Sequence, residues 1–429
     1  MTPTGDGDRS RSQTPSLRLH RWTERVVVGA AVAALGAGVG QFGAVAALGD
    51  VARTFGRVVH GTTIADQAGL SGTELGVGLA IIRLASLAGL PLAALADRYG
   101  RRTVLLVTVG LGLAMTVVAA ASPGYWWFVA IFACGRPLLS ATNALSQVTA
   151  AEQTGSDDRA KAVALVAAGY GLGAGLTAVI HGLAGAIGFR GVFALAVVPL
   201  ALLPLVASWV KEPDRFIIAE AAAVHPLPVL GAVGRRFRQR LAVIAGLAFA
   251  VSVITGPANS FVFLYAQNVR HLPGYVTAAM VVGAGVCGLV GLLAGRWLAD
   301  HLGRRPTGSL GMAGIALGGT LAYSGSRPAL LAGYMLGVLA GSVFAPAAGA
   351  LVNELFPTAV RASVAGWWVA AGVVGAAVGL VVFGAIADVG NRFAVAAVLT
   401  FLPAALAAGL FWLVPETRGR EPEDLSPSQ

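Results

Sequence analysis

ALADRYGRR at 94–102 and RWLADHLGRR at 296–305 are two copies of one loop, and their reading decides the architecture. Asp97 matches Asp300, Gly100 matches Gly303, and Arg101 and Arg102 match Arg304 and Arg305, all at an offset of 203. A second loop repeats at almost the same spacing. Glu152 precedes Arg159 by seven residues, and Glu354 precedes Arg361 by seven, an offset of 202. Two independent motifs at one period mean that the chain contains one unit twice.

Each loop copy joins apolar runs. Of 429 residues 56% are hydrophobic and 12% charged, and the mean hydropathy is +0.76. A soluble domain carries about 25% charged residues, so water is not the solvent for most of this surface. Twelve apolar runs are legible: roughly 26–49, 74–96, 103–121, 126–150, 160–187 and 191–210, then 241–264, 274–298, 307–324, 329–352, 361–386 and 393–414. A bilayer crossing takes about 20 residues of helix, and lipid leaves helices as the form that satisfies every backbone group of such runs. The first run exceeds the apolar core of a signal peptide. The expectation is an all-α membrane protein of 12 transmembrane helices in two pseudo-symmetric six-helix bundles, at 26–210 and 241–414. They are flanked by a cytoplasmic, disordered tail at 1–25, a cytoplasmic central loop at 211–240 and a cytoplasmic tail at 415–429. A second long connection, roughly 51–73, follows the first helix on the opposite side. Small residues spaced by four, such as Gly169 with Gly173 and Gly375 with Gly379, predict close helix–helix approach.

The net charge of +10 is a topology signal rather than a nucleic-acid surface. Of 30 Lys and Arg, 22 fall in the termini and connections on one side of the membrane and six on the other. The positive-inside rule places both termini in the cytoplasm, of a protein expected in the plasma (inner) membrane. Cys134 and Cys287 lie in apolar runs and offer no disulfide framework. Six scattered histidines and these two cysteines compose no metal or nucleophile–base constellation, so neither enzyme nor cofactor chemistry is expected. No phosphate-binding glycine loop is present, and direct ATP drive is not expected.

The loops resemble those of the major facilitator superfamily, over all twelve helices. The family pattern is Gly-x-Leu-Ala-Asp-Arg-x-Gly-Arg-Arg/Lys. The first copy has Ala93 at its first position; in the second copy that position is Arg296, with Gly295 just before it. ELFPTAVRA at 354–362 and PETRG at 415–419 also resemble family loops, and KEPDRF at 211–216 loosely resembles a sugar-porter segment. The resemblance implies alternating access of two bundles. It also implies a cytoplasmic gate made of Asp97, Arg101, Arg102, Glu152 and Arg159 with Asp300, Arg304, Arg305, Glu354 and Arg361. Chemically, carboxylates beside guanidiniums on these loops form charge-assisted hydrogen bonds when that side is shut.

Polar side chains inside the runs mark the transport path, because ionisable groups there cost about 2.5–3.5 kcal/mol on insertion scales. Arg136 stands ten residues into the fourth run, with Ser140, Asn143 and Gln147 on its face. Arg136 also matches the arginine of a fourth-helix motif of proton-coupled exporters, although Leu139-Ser140 replaces the Gln-Gly that follows there. Arg83 lies near the middle of the second run. Tyr170 and His181 share the fifth, and the imidazole is a candidate proton carrier. Asn259, beside Ser252, Thr255 and the helix-interrupting Pro257, marks the seventh. Gln41, Tyr334 and Trp368 complete the expected cavity. No carboxylate falls mid-run; Asp50 and Glu74 come nearest.

Two membrane-depth cations without anions call for an anionic ligand, held bidentately if it carries a carboxylate or phosphate. The expected function is secondary active or facilitative transport of a small organic solute, an organic anion by this reading, with coupled protons as a further partner. The protein is expected to act as a monomer in the lipid bilayer. A proton-coupled exporter of lipophilic drugs and a sugar-porter-like symporter are the transport alternatives. A membrane sensor that binds solute without moving it is the non-transport alternative.

Overall fold

The structure is a computed structural model and describes residues 20–59, 61, 63–212, 237–390 and 392–419. The N-terminal tail up to 19, residues 213–236 of the central segment and residues 420–429 lie outside the described residues, with Arg9, Arg11, Arg18, Arg215, Arg235, Arg236 and Arg420.

Twelve helical passages follow one another. The first six are α1 Arg25–Ala46, α2 Gly72–Tyr99, α3 Arg101–Ala120, α4 Tyr125–Gln153, α5 Ser156–Leu183 and α6 Gly188–Trp209. The second six are α7 Arg238–Val269, α8 Gly274–His301, α9 Arg304–Ala322, α10 Arg327–Glu354, α11 Thr358–Asp388 and α12 Phe393–Leu413. Eleven of these, among the described residues, are long and apolar enough to cross a membrane by themselves. The exception is α9, of 19 residues, which opens on Arg304-Arg305 and is rich in glycine and hydroxyl side chains. It packs closely on α10 through Gly311, Gly314 and Gly318, while Leu310 and Leu317 are exposed. Between α1 and α2 the expected irregular connection is partly helical, with short helices Leu48–Phe55 and Ile64–Ala68, the second closed by a Thr63–Asp66 capping box.

The packing repeats with the sequence. In the first half α1 packs on α5, α3 on α4 and α2 on α4; in the second, α7 packs on α11, α9 on α10 and α8 on α10. The glycine pairs explain the closest of these. Gly169 and Gly173 of α5 lie against the backbone of Ala31 and Leu35, and Gly375 and Gly379 of α11 lie against that of Phe249 and Val253. A Cβ at Gly173 would stand 2.1 Å from the Leu35 oxygen, and one at Gly379 would stand 2.3 Å from the Val253 oxygen. No side chain fits there, which is why the spacing-by-four recurs at equivalent places.

The halves meet through α2 with α11 and α5 with α8, again an equivalent pair. Their closest points are Gly72 against Gly384, Gly76 against Leu380, and Gly182 against Gly274. All lie at the end of the bundle opposite the repeated loops, here called the far end. At the loop end, hydrogen bonds and ion pairs among the described residues each join groups of one half.

Candidate functional site

Between α2, α7 and α11 lies a cavity of about 300 Å³ lined by Arg83, Ser252, Thr255, Asn259 and Trp368 with small apolar residues of α11. The apolar run of α2 sets Arg83 toward α11, where Gly372 and Ala376 leave space for a long side chain. Asn259 is exposed and donates to the Thr255 carbonyl at 2.9 Å, occupying an acceptor in the turn around Pro257. Trp368 stacks on Phe344 with its ring centroid 6.4 Å away, which fixes the indole as a wall.

Arg136 is buried, and its nearest partner is the backbone carbonyl of Gln41, reached from Nη1 at 3.4 Å. The Gln41 amide oxygen accepts from the Tyr170 hydroxyl at 3.2 Å. Gln41 Nε2 and Arg136 Nε are buried donors with no partner, and Asn143 Oδ1, two turns along α4 from Arg136, is a buried acceptor with none. Among the described residues no carboxylate lies within 4.0 Å of Arg83 or Arg136. Asp50 is bonded to His181, and Glu74 closes the capping box of α2 with Ser71, so neither supplies the missing anion.

The structure therefore brings Arg83, Asn259 and Trp368 together around one cavity, and Gln41, Arg136 and Tyr170 in a neighbouring cluster within the first half. His181 stands apart from the cavity, in the far-end seam, because α5 carries it almost three turns beyond Tyr170. Tyr334 is also apart. It packs edge-on to Phe263, which packs edge-on to Phe42, so it belongs to the apolar layer between α1, α7 and α10. Ser140 faces Gly89 of α2, a packing position.

At the loop end Arg101 pairs with Asp97 at 3.0 Å and with Glu152 at 2.8 Å. Arg304 repeats this with Asp300 at 3.1 Å and Glu354 at 3.3 Å. The second arginine of each pair holds carbonyls instead: Arg102 those of Val210 and Ala207, Arg305 those of Phe411 and Trp412. Arg159 is exposed, and Arg361 donates to the Phe356 carbonyl at 3.0 Å. In this structure nine of the ten residues, all but Arg159, thus brace each half separately. The motif glycines, Gly100 at φ +90° and Gly303 at φ +108°, make the turn that starts α3 and α9 in a region that disfavours side chains.

Sequence reasoning passed over two carboxylates that complete these braces. Glu212 accepts from the backbone N–H groups of Arg101 and Arg102, and Glu416 from those of Arg304 and Arg305 at 2.8 and 3.1 Å. Each caps the helix whose N-terminus the preceding glycine opens. Their equivalent placement, in KEPDRF and PETRG, was the available signal. Burial alone would raise the Glu416 carboxyl, but the N–H groups of Arg304, Arg305, Arg418 and Thr417 hold it below its usual 4.5. A carboxylate held low contributes stability that is present above its usual value and is lost as the pH falls through the lowered one. The melting temperature is accordingly expected to fall on acidification below 4.5, and Glu416→Gln to flatten that fall. Equal slopes in both proteins, in a detergent melting series, would count against the cap.

A third carboxylate joins the halves. Asp388, the last residue of α11, accepts from the backbone N–H groups of Gly72 and Thr73, the latter at 2.7 Å, and from the Thr73 hydroxyl. It caps α2 from the other half and so ties the far end shut.

The sequence model of the Major Facilitator Superfamily matches residues 26–298 and 285–427. The chain belongs to this superfamily. A Haemophilus influenzae protein named as a metabolite transport protein is 27% identical over 293 residues, 64% of this chain and 70% of that protein. A Cupriavidus pinatubonensis protein named as a 4-methylmuconolactone transporter is 26% identical over 370 residues, 82% of this chain and 84% of that one. The xylose transporter XylE of E. coli, in a partially occluded inward open conformation, superposes with a TM-score of 0.69 at 19% identity. That match covers 92% of this chain and 98% of XylE. The structural likeness shows the fold. As a member of the superfamily, the protein is an integral membrane transporter of a small solute.

Proposed function

We propose that this superfamily member carries a small organic anion across the plasma membrane by alternating access, with both termini cytoplasmic and the repeated loops on the cytoplasmic side. The observation that carries the reading is the pair of membrane-depth guanidiniums, Arg83 and Arg136, with no carboxylate among the described residues within 4.0 Å. An uncompensated buried charge is costly, and a ligand carboxylate meets it with two parallel hydrogen bonds per guanidinium. The cavity admits such a ligand between Arg83 and Trp368, one wall from each half, so that binding couples the halves. The asymmetry of basic residues supports the orientation. With the halves joined at the far end and the loop end braced within each half, the described state presents the cavity to the cytoplasm.

A thermal-shift panel of organic anions, sugars and lipophilic cations tests this on the purified protein. A ligand at 100 times its dissociation constant stabilises by about 2.7 kcal/mol. The expected result is stabilisation by an anion class, lost in Arg136→Ala, followed by flux of the same compounds in proteoliposomes. Stabilisation by neutral or cationic compounds alone would overturn the anion reading. Binding without flux would replace transport by a sensor.

A further inference from the structure

We infer that Asp50 and His181 form a proton-binding site whose imidazole is covered when the far end closes, which makes protons the ion coupled to alternation. The inference rests on the alternating-access reading and names its coupling ion. His181 of α5 is 4% exposed, and its Nε2 lies 2.6 Å from Oδ2 of Asp50, a half-buried residue whose side chain is 21% exposed, on the short helix Leu48–Phe55 that follows α1. Both chain neighbours of the pair are contacts between the halves. Gly49 lies against Asn268 of α7, where an added Cβ would stand 2.3 Å from Asn268 Oδ1. Gly182 lies against Gly274 and Ala278 of α8, with an added Cβ 2.6 Å from the Gly274 oxygen. Asn268 itself is 1% exposed, and its Nδ2 has no partner, a buried polar group held at this seam without compensation. The contacts that cover His181 are therefore among those that shut the far end, and parting the halves there wets it.

Among the described residues the two arginines at membrane depth do not serve. Arg83 and Arg136 are guanidiniums, which keep their protons at any physiological pH. Around the pair, the short helix carries Arg53, which is exposed, and the helix Ile64–Ala68 carries Asp66, bonded to Thr63. On α5 Tyr170 is bonded to Gln41, and on α6 Arg190 donates to the carbonyls of Ala120 and Ser122. On α4 Tyr125 donates to the Glu74 carbonyl, and on α8 Tyr275 is exposed. The end of α7 brings Tyr265, packed on Tyr323 and Phe393, followed by Arg270 and His271. Among the described residues none of these forms an ion pair with Asp50 or His181.

Charge counting gives the direction. A neutral ring donates Nε2–H to Asp50 and keeps its lone pair on Nδ1, leaving the pair with one negative charge. A proton taken from far-side water adds to Nδ1, and the pair becomes an imidazolium and a carboxylate with no net charge. Sealing a net charge between two bundles costs more than sealing a hydrogen-bonded neutral pair. Closure of the far end is thereby linked to proton uptake from that side, and a ligand that binds one of two states more tightly shifts the population toward it.

The test needs no solute. Spin labels are placed at Ala121→Cys and Ser324→Cys, exposed far-end positions of the two halves, in a Cys134→Ser/Cys287→Ser background. Distances are recorded in nanodiscs at about pH 5.5 and about pH 8.5, either side of the ordinary imidazole range. The short-distance, closed population is expected to gain several-fold over the open one in acid, by at most about tenfold per pH unit for one proton. His181→Gln and, independently, Asp50→Asn are each expected to abolish the response. A parent that does not respond, or either variant responding like the parent, overturns the proposal. Solute flux in proteoliposomes is scored separately. Absent flux with an intact pH response removes the transport reading alone.

Discussion

Arg136→Met raises the melting temperature of the ligand-free protein, or leaves it unchanged, and removes stabilisation by organic anions. The two halves of this result have one cause. Arg136 is buried, with a single hydrogen bond of 3.4 Å to the Gln41 carbonyl and a buried Nε that has no partner. A bond of that length recovers little of the charge's desolvation. Replacing an uncompensated buried charge by an apolar side chain of similar volume is therefore neutral or stabilising. The same guanidinium supplies charge-assisted hydrogen bonds to an incoming carboxylate, each worth about 1.5–3 kcal/mol, so anion affinity should drop roughly tenfold to a hundredfold. Parallel melting curves with and without anion decide it. A variant that melts well below the parent while keeping its anion shift would place Arg136 in structure and out of binding.

Asp388→Ala opens the far end. The carboxylate accepts two backbone N–H groups and one hydroxyl from the other half, across 316 and 315 positions of sequence. Hydrogen bonds to a charged group contribute about 1.5–3 kcal/mol each. Water replaces them once the halves part, and realisation of even one shifts the closed-to-open ratio about tenfold. The label pair at Ala121→Cys and Ser324→Cys reads this directly as growth of the long-distance population. An unchanged distance distribution would mean that the glycine contacts at Gly76 and Gly384 hold the far end without help. Asp388→Asn keeps one acceptor oxygen and is expected to fall between the two.

The residues that were legible and those that were not divide by physical origin. Asp97, Arg101, Glu152 and their repeats were readable because a duplicated loop announces itself by spacing, and the pairs they form are short-range within a half. Gly169, Gly173, Gly375 and Gly379 were readable because close helix approach demands small residues at a fixed interval. Arg83 and Arg136 stood out because lipid penalises a cation at any rotation of its helix. Asp388 did not stand out. A carboxylate at a helix end is an ordinary boundary residue until the opposite half brings the N-terminus of α2 to it. Glu212 and Glu416 were seen as parts of loop motifs, but their role as caps depends on where α6 and α12 return beside α3 and α9. His181 and Tyr334 were placed with the cavity on helix position alone, and helix rotation and packing set them elsewhere.

By itself, then, the sequence determined what lipid and covalent spacing dictate: twelve helices, a duplicated unit, a charge asymmetry across the bilayer and two cations without anions among their neighbours. These follow from hydropathy and charge, read within a few dozen residues, and from a motif repeat at offsets of 203 and 202. The tertiary structure decided which surfaces face one another: the α2–α11 and α5–α8 seams, the Asp388 tie, the Asp50–His181 pair, and the cavity wall that joins Arg83 to Trp368. Such contacts join residues far apart in the sequence, 131 positions for Asp50 with His181 and 316 for Asp388 with Gly72, and apolar helices in lipid have no hydrophobic force to choose their partners. Shape and a few buried polar bonds make that choice, and they exist only once the helices are assembled.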